Sequence, residues 1–352
     1  MRKPFLDNLR YSIVLLVIVY HAFYFFNTVG VITNVVIPGI PAMDTLLYVL
    51  YPWFMVALFL ISGICARYSL EKKTGKQYLK SRARRQLLPS LALMFLIGWI
   101  NSWVTAQYTD IFAGSGDLIP MPIKLMIYVL SGTGALWFLH ELFLADVVLV
   151  LIRKLDKKDR LWKLGGKANF LVICLLVFAL WGSAQVLNFP IIEIYRNGIY
   201  IFAFLIGYFV FSHDHIQEML GKKAPMLLAA AGILAVVYTV TAFGENYSNM
   251  AHLKEFLTNA YAWFGTLAVL GAGKRWMDKE TAFTRYMAPR SFGFYVLHYQ
   301  PMVVCAWFLD QVLHLPVWCM YPLVIAAAAV VLPPLVAVIK KIPVLRTLML
   351  GE

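Results

Sequence analysis

Residues 6–23 read Leu-Asp-Asn-Leu-Arg-Tyr-Ser-Ile-Val-Leu-Leu-Val-Ile-Val-Tyr-His-Ala-Phe, an apolar run with Arg10 at its mouth and His21 near its far end. Apolar length of this kind crosses a bilayer core as a helix. At about 100° per residue, the eleven steps from Arg10 to His21 return to within about 20° of the start, so Arg10, Val14, Val17 and His21 share one stripe. A rise of about 1.5 Å per residue sets His21 about 16 Å deeper than Arg10, near the bilayer middle if Arg10 sits at the inner interface. An ionisable group at that depth is costly unless it faces a partner or an aqueous cavity. The pair therefore suggests a cavity running inward from the cytoplasm. Each residue also has a plainer reading: Arg10 as a topogenic charge that snorkels to the headgroups, and His21 as a neutral core histidine bonded across helices. Their shared face favours the functional one.

The rest of the chain agrees with a membrane setting. Of 352 residues, 61% are apolar or aromatic and 14% charged, and the mean hydropathy is +0.73. Average soluble domains carry about 25% charged residues, so a soluble enzyme and a disordered chain are both excluded. The basic, apolar N-terminus resembles a signal peptide, but no small-x-small cleavage site follows, and it reads as a retained first span. Apolar windows of about 19 residues predict ten spans, near 10–29, 45–66, 86–106, 135–152, 169–187, 194–211, 225–243, 253–272, 291–309 and 319–339. The short run Ile123 to Leu130, after Gly114, Gly116, Pro120 and Pro122, reads as interfacial or re-entrant.

Charge tests this topology. With the N-terminus in the cytoplasm and sides alternating, 28 of the 31 Lys and Arg fall inside, leaving only Lys124, Arg196 and Lys254 outside. A span missed or invented in the middle would scramble that split. The expected fold is all-α and polytopic, with about ten transmembrane helices, both termini cytoplasmic, and residues 1–352 forming one domain. The formal charge of +13 then reports topology and needs no nucleic acid. Cys65, Cys174, Cys305 and Cys319 show neither a disulfide frame nor a metal-like spacing, and no metal is expected.

Further polar groups lie at membrane depth. Trp137, His140, Glu141 and Asp146 occupy the fourth span, with Glu141 roughly 10 Å below the outer surface and so near the depth of His21. A carboxylate and an imidazole at one depth suggest a catalytic pair, although Glu141 could instead reach headgroup water or pair structurally. Asp146 lies deeper, with no partner nameable from sequence. His298, in the ninth span with Tyr295, reads as a supporting or satisfied core group. Arg82 and Arg85, three apart at the helical entry to the third span, would lie on one face and suit a phosphorylated ligand. Taken alone, a basic inner loop is more often a topogenic signal or an anionic-lipid contact. No phosphate-binding glycine loop and no GxSxG elbow occurs.

Leu6-Asp-Asn-Leu-Arg10, with ten residues before His21, resembles the signature of the acyltransferase 3 family of integral-membrane acyltransferases. Phe59-Leu-Ile-Ser-Gly63, Arg82-Ala-Arg-Arg85 with Leu88-Pro89, Trp137-Phe-Leu139 and Ser291-Phe-Gly-Phe-Tyr-Val-Leu-His298 agree in order and spacing. The resemblance covers most of the chain and implies a ten-helix bundle. It implies transfer of an acyl group, acetyl, succinyl or longer, from cytosolic acyl-coenzyme A to a hydroxyl of a carbohydrate or other envelope molecule. It makes Arg10 and His21 the essential pair, Arg82 and Arg85 the donor-binding arginines and Glu141 the carboxylate that helps the histidine. The expected partners are acyl-coenzyme A as donor substrate, a glycan or lipid-linked acceptor, and membrane lipid, with no tightly bound cofactor. With twelve residues after Lys340, an appended hydrolase-like domain is not expected, so direct acylation or handover to another protein is implied. A bacterial cytoplasmic membrane is the expected home.

The chemistry fits the residues. A thioester is already activated, so the hydroxyl mainly needs its proton removed, a task suited to an imidazole whose ordinary pKa lies near neutrality. A proton-coupled secondary transporter would also bury His, Glu and Asp, but often shows internal repeats and broken paired helices, which are not visible here. A non-catalytic scaffold leaves the shared depth of these groups unexplained.

Overall fold

The structure is a computed structural model that describes residues 3–114, 118–188 and 195–352. Every named element among these residues is helical, and the sole bridge is Asn188 to Arg196. Six helical stretches among the described residues are long and apolar enough to cross a membrane: Pro4–Tyr24, Pro41–Leu70, Gly75–Tyr108, Gly134–Leu155, Asp214–Ala242 and Val317–Lys341. A seventh arises if Ser291–Leu297 and Tyr299–Gln311, bent by 45° at their junction, count as one crossing. The remaining three expected spans coincide with helices that are shorter or more polar. Phe170–Ser183 and Asn197–Phe211 are short. Phe256–Trp276 has 21 residues, but its buried positions include Thr258, Asn259, Thr266, Gly265 and Gly271. A helix enclosed by other helices needs close packing more than lipid-like hydropathy.

Local chemistry explains the breaks. Pro301 lacks the N–H that would bond the Leu297 carbonyl, and its ring crowds that turn, which accounts for the bend beside His298. In Gly75–Tyr108, Pro89 likewise removes the bond to the Arg85 carbonyl, and the turn Ala83–Leu87 widens into a π-helix, as does Met94–Gly98. Thr74 and Gln77 form a reciprocal cap that starts the stretch. The run Ile123 to Leu130 lies in the helix Met121–Ser131, too short to span and with no buried residue.

The chain groups into two compact units. The first comprises Met1–Ile13, Tyr48–Ala83 and Glu141–Pro289. Within it Phe256–Trp276 packs on Asp214–Ala242 and on Phe170–Ser183, where the Trp263 indole donates to the Ile173 carbonyl at 2.9 Å. The Phe59-Leu-Ile-Ser-Gly63 segment acquires its physical reason here. A Cβ added at Gly63 would sit 1.9 Å from the Phe204 carbonyl oxygen, and one at Gly207 would sit 2.2 Å from that of Leu60. Only glycine permits two backbones this near contact. On a loop of the same unit, the N–H groups of Leu161 and Arg160 donate to Asp156 and hold its carboxyl below the usual carboxylate range.

The second unit comprises Val14–Leu47, Arg84–His140 and Arg290–Glu352. Tyr299–Gln311 packs against Val317–Lys341 and against Trp99–Tyr108. At the latter contact Trp103 meets Trp307, with ring centroids 4.9 Å apart, and the Tyr108 hydroxyl donates to Asp310 at 3.0 Å. The C-terminal helix Pro343–Leu350 ends at Gly351, whose positive φ of 65° lets the chain lie against the Arg84 carbonyl.

Candidate active site

Arg10 and His21 both lie on the unbroken helix Pro4–Tyr24, so the stripe expected from their spacing is realised along one element. His21 is half-buried and ringed by aromatics of its own unit. Centroids lie at 5.1 Å for Tyr299, 5.3 Å for Tyr20 and 5.7 Å for Tyr24, all edge-on. Its Nδ1 is 2.8 Å from the Val17 carbonyl oxygen, one helical turn back, and 3.2 Å from Nε2 of His298. The Tyr299 hydroxyl donates to Asn34 at 2.7 Å, and Asn34 donates to Thr105 at 2.9 Å, which ties the loop after the first helix to the fifth helix of the chain's order, Trp99–Tyr108.

His298 is wholly buried, and its Nδ1 lies 2.6 Å from the Tyr295 carbonyl oxygen. Tyr295 in turn donates its hydroxyl to the Ala135 carbonyl. The Ser291 to His298 motif thus combines an anchored tyrosine with a histidine at a proline-bent junction. Pro301, three residues past His298, is the sequence signal for that bend.

In the first unit Arg10 and Arg82 have specific neighbours. Arg10 Nη2 approaches the Cys65 sulfur at 3.1 Å, and Nη1 lies 3.8 Å from Asp7. Arg82 pairs with Asp146 at 3.7 Å, and its guanidinium lies 4.8 Å from the centroid of the Tyr78 ring. The Tyr78 hydroxyl donates to Asp146, which is completely buried. Asp146 therefore finds its counterion and hydrogen-bond donor on Gly75–Arg82, a helix 64 or more residues away in sequence. Arg85 belongs to the second unit and is exposed. The intervening π-helical turn alters the α-helical three-residue phase assumed for Arg82 and Arg85.

Glu141 is 1% exposed, and neither carboxylate oxygen has a hydrogen-bond partner among the described residues. It lies within electrostatic reach of Tyr195 and Tyr200 in its own unit. A buried carboxylate without donors is expensive to keep charged, which makes it ready to accept a hydrogen bond or a proton from an incoming group. Among the described residues no group of three or more His, Cys, Asp or Glu side chains could hold a metal ion. The four cysteines are free thiols.

The sequence model of a family described as an acyltransferase domain matches residues 3–338. No curated protein and no solved structure matches the chain.

Proposed function

The chain belongs to the acyltransferase 3 family, and from that premise we propose that it moves an acyl group from acyl-coenzyme A to a hydroxyl of a carbohydrate or other envelope acceptor, with His21 as general base. The observation that carries the assignment is the His21 ring itself. A backbone carbonyl can only accept, so the Nδ1 facing Val17 at 2.8 Å carries the hydrogen. The neutral ring then has its lone pair on Nε2.

In the proposed reaction Nε2 removes the acceptor's hydroxyl proton as that oxygen attacks the thioester carbonyl. The carbon–sulfur bond breaks, and the proton on Nε2 passes to the departing coenzyme A thiolate. Arg10, Arg82 and Arg85 hold the nucleotide phosphates of the donor; guanidinium forks match phosphate oxygens. Arg82 is pre-set for this by Asp146 and by stacking over Tyr78. Glu141 is the catalytic carboxylate of the proposal, the one that assists the histidine, and its two oxygens have no hydrogen-bond partner among the described residues. No tightly bound cofactor is needed, because the donor arrives activated.

The proposed topology has ten spans and both termini in the cytoplasm. It counts Phe170–Ser183, Asn197–Phe211 and Phe256–Trp276 as crossings beside the six long helices and the bent pair. The 28 to 3 division of basic residues supports it. Placing donor arginines at the basic face makes acyl-coenzyme A a cytosolic substrate, and a bacterial cytoplasmic membrane is the proposed location.

The test is acyl-coenzyme A turnover by the purified protein in proteoliposomes, supplied with candidate envelope glycans. Release of free coenzyme A thiol together with acyl label on the acceptor supports the proposal. Movement of a solute across the bilayer with the thioester left intact would make the protein a transporter and refute it.

A further inference from the structure

We propose that His298 is a positioning residue for the reaction, acting through His21 by fixing which of its ring nitrogens is the base and by stabilising its protonated form. The inference rests on His21 being the general base.

The hydrogens can be assigned from the two carbonyls that cap this chain of rings. His298 Nδ1 is 2.6 Å from the Tyr295 carbonyl, an acceptor only, so Nδ1 is protonated and the neutral ring bears its lone pair on Nε2. That lone pair lies 3.2 Å from His21 Nδ1. His21 Nδ1 also faces the Val17 carbonyl, so its single hydrogen is shared between two acceptors, leaving Nε2 of His21 free to take a proton. The hydrogens therefore run in one direction: from His21 to His298, and from His298 to the backbone of Tyr295.

The direction matters when His21 becomes imidazolium. The charge strengthens the Nδ1–H bond to His298, as a charge-assisted hydrogen bond is roughly twice as strong as a neutral one. The arrangement does the work of a carboxylate in a hydrolase triad with a neutral acceptor in its place. The Val17 carbonyl favours the same tautomer, but a carbonyl one turn back is present for every helical residue and does not fix the ring's plane. His298 does, being completely buried and held by its own bond to Tyr295, whose hydroxyl is anchored on Ala135. The other titratable rings in contact with His21 within its unit are Tyr20, Tyr24 and Tyr299, whose planes stand nearly perpendicular to that of the imidazole.

The experiment compares wild type, His21→Ala, His298→Leu and His298→Gln in lipid nanodiscs, using acyl-coenzyme A as the probe. It reads kcat, KM for the donor, the pH profile, and the histidine ring-nitrogen NMR signals, with His21 assigned by their loss in His21→Ala. Wild type should show His21 protonated on Nδ1. His298→Leu should lower kcat about 10- to 100-fold with donor KM changed less than about 3-fold, the loss expected for one hydrogen bond to a charged group. Its acidic limb should move about one pH unit lower, since the imidazolium has lost an acceptor. His298→Gln, which can present an oxygen near the Nε2 position, should recover much of the rate. A wild-type His21 protonated on Nε2, or a folded His298→Leu with unchanged kcat and pH profile, overturns the proposal. If His298→Leu does not fold, the wild-type ring-nitrogen signals and the His298→Gln profile decide it. Absence of acyl transfer in wild type would instead overturn the enzymatic reading, and the NMR result would stand apart from it.

Discussion

Removing the carboxylate of Asp146 should destabilise the protein by an amount that its two partners set. Asp146 is 0% exposed, accepts the Tyr78 hydroxyl and pairs with Arg82 at 3.7 Å. Replacement by Ala leaves the Tyr78 hydroxyl buried without an acceptor, which costs about 1–3 kcal/mol. It also strips Arg82 of its counterion. Breaking a fully buried pair costs about 3–5 kcal/mol, but the Arg82 side chain is 24% exposed and water offsets about half of that. The expected total is about 3–5 kcal/mol for Asp146→Ala. Asp146→Asn keeps an oxygen for Tyr78 and loses only the charge, so about 1–3 kcal/mol is expected. The assay is reversible unfolding in mixed micelles, followed by tryptophan fluorescence, on a double-mutant cycle with Arg82→Met. Because the groups touch, the two substitutions should be non-additive by at least about 1 kcal/mol. An Asp146→Ala variant within about 0.5 kcal/mol of wild type, or strict additivity, would refute the assignment of Arg82 and Tyr78 as its partners.

Arg82→Gln and Arg85→Gln should each weaken coenzyme A binding by about 1.5–3 kcal/mol at fixed ionic strength, with Lys restoring only part; unchanged affinity in folded variants would return this segment to a purely topogenic role. Gly63→Leu should prevent stable folding, since a side chain there must displace the Phe204 carbonyl, now 1.9 Å from where its Cβ would lie; a thermal midpoint equal to wild type would contradict the close crossing. On a background without native cysteines, Lys157→Cys should resist a membrane-impermeant thiol reagent added from outside intact cells, and modification there would overturn the proposed topology.

Much of the architecture is written in hydropathy. Each of the ten apolar windows coincides with a helix, but length and hydropathy alone single out six crossings, or seven with the bent pair. Phe256–Trp276 shows why the two criteria part: enclosed by its neighbours, it carries Thr258, Asn259 and glycines where a lipid-facing helix would carry leucine. The common face of Arg10 and His21 was legible because a straight helix preserves angular phase over eleven residues. That phase is not kept from Arg82 to Arg85, where the turn Ala83–Leu87 is π-helical and Pro89 lies four residues past Arg85. The Asp146 partners were illegible for a different reason. Tyr78 is one tyrosine among 19 in the chain, on a basic helix that sequence reading assigned to the inner loop, and only tertiary packing pairs it with a fourth-span carboxylate. His298 was visible as a motif residue, yet its contact with His21 depends on the bend at Pro301 and on a ring rotamer.

The most direct test of the account is transfer of labelled acyl groups from acyl-coenzyme A by purified wild type and His21→Ala in matched proteoliposomes, with equal insertion verified for both. Wild type should acylate the acceptor, and His21→Ala should lose that activity by at least about 100-fold with coenzyme A affinity retained. Wild-type transfer rates in a folded His21→Ala protein would contradict it.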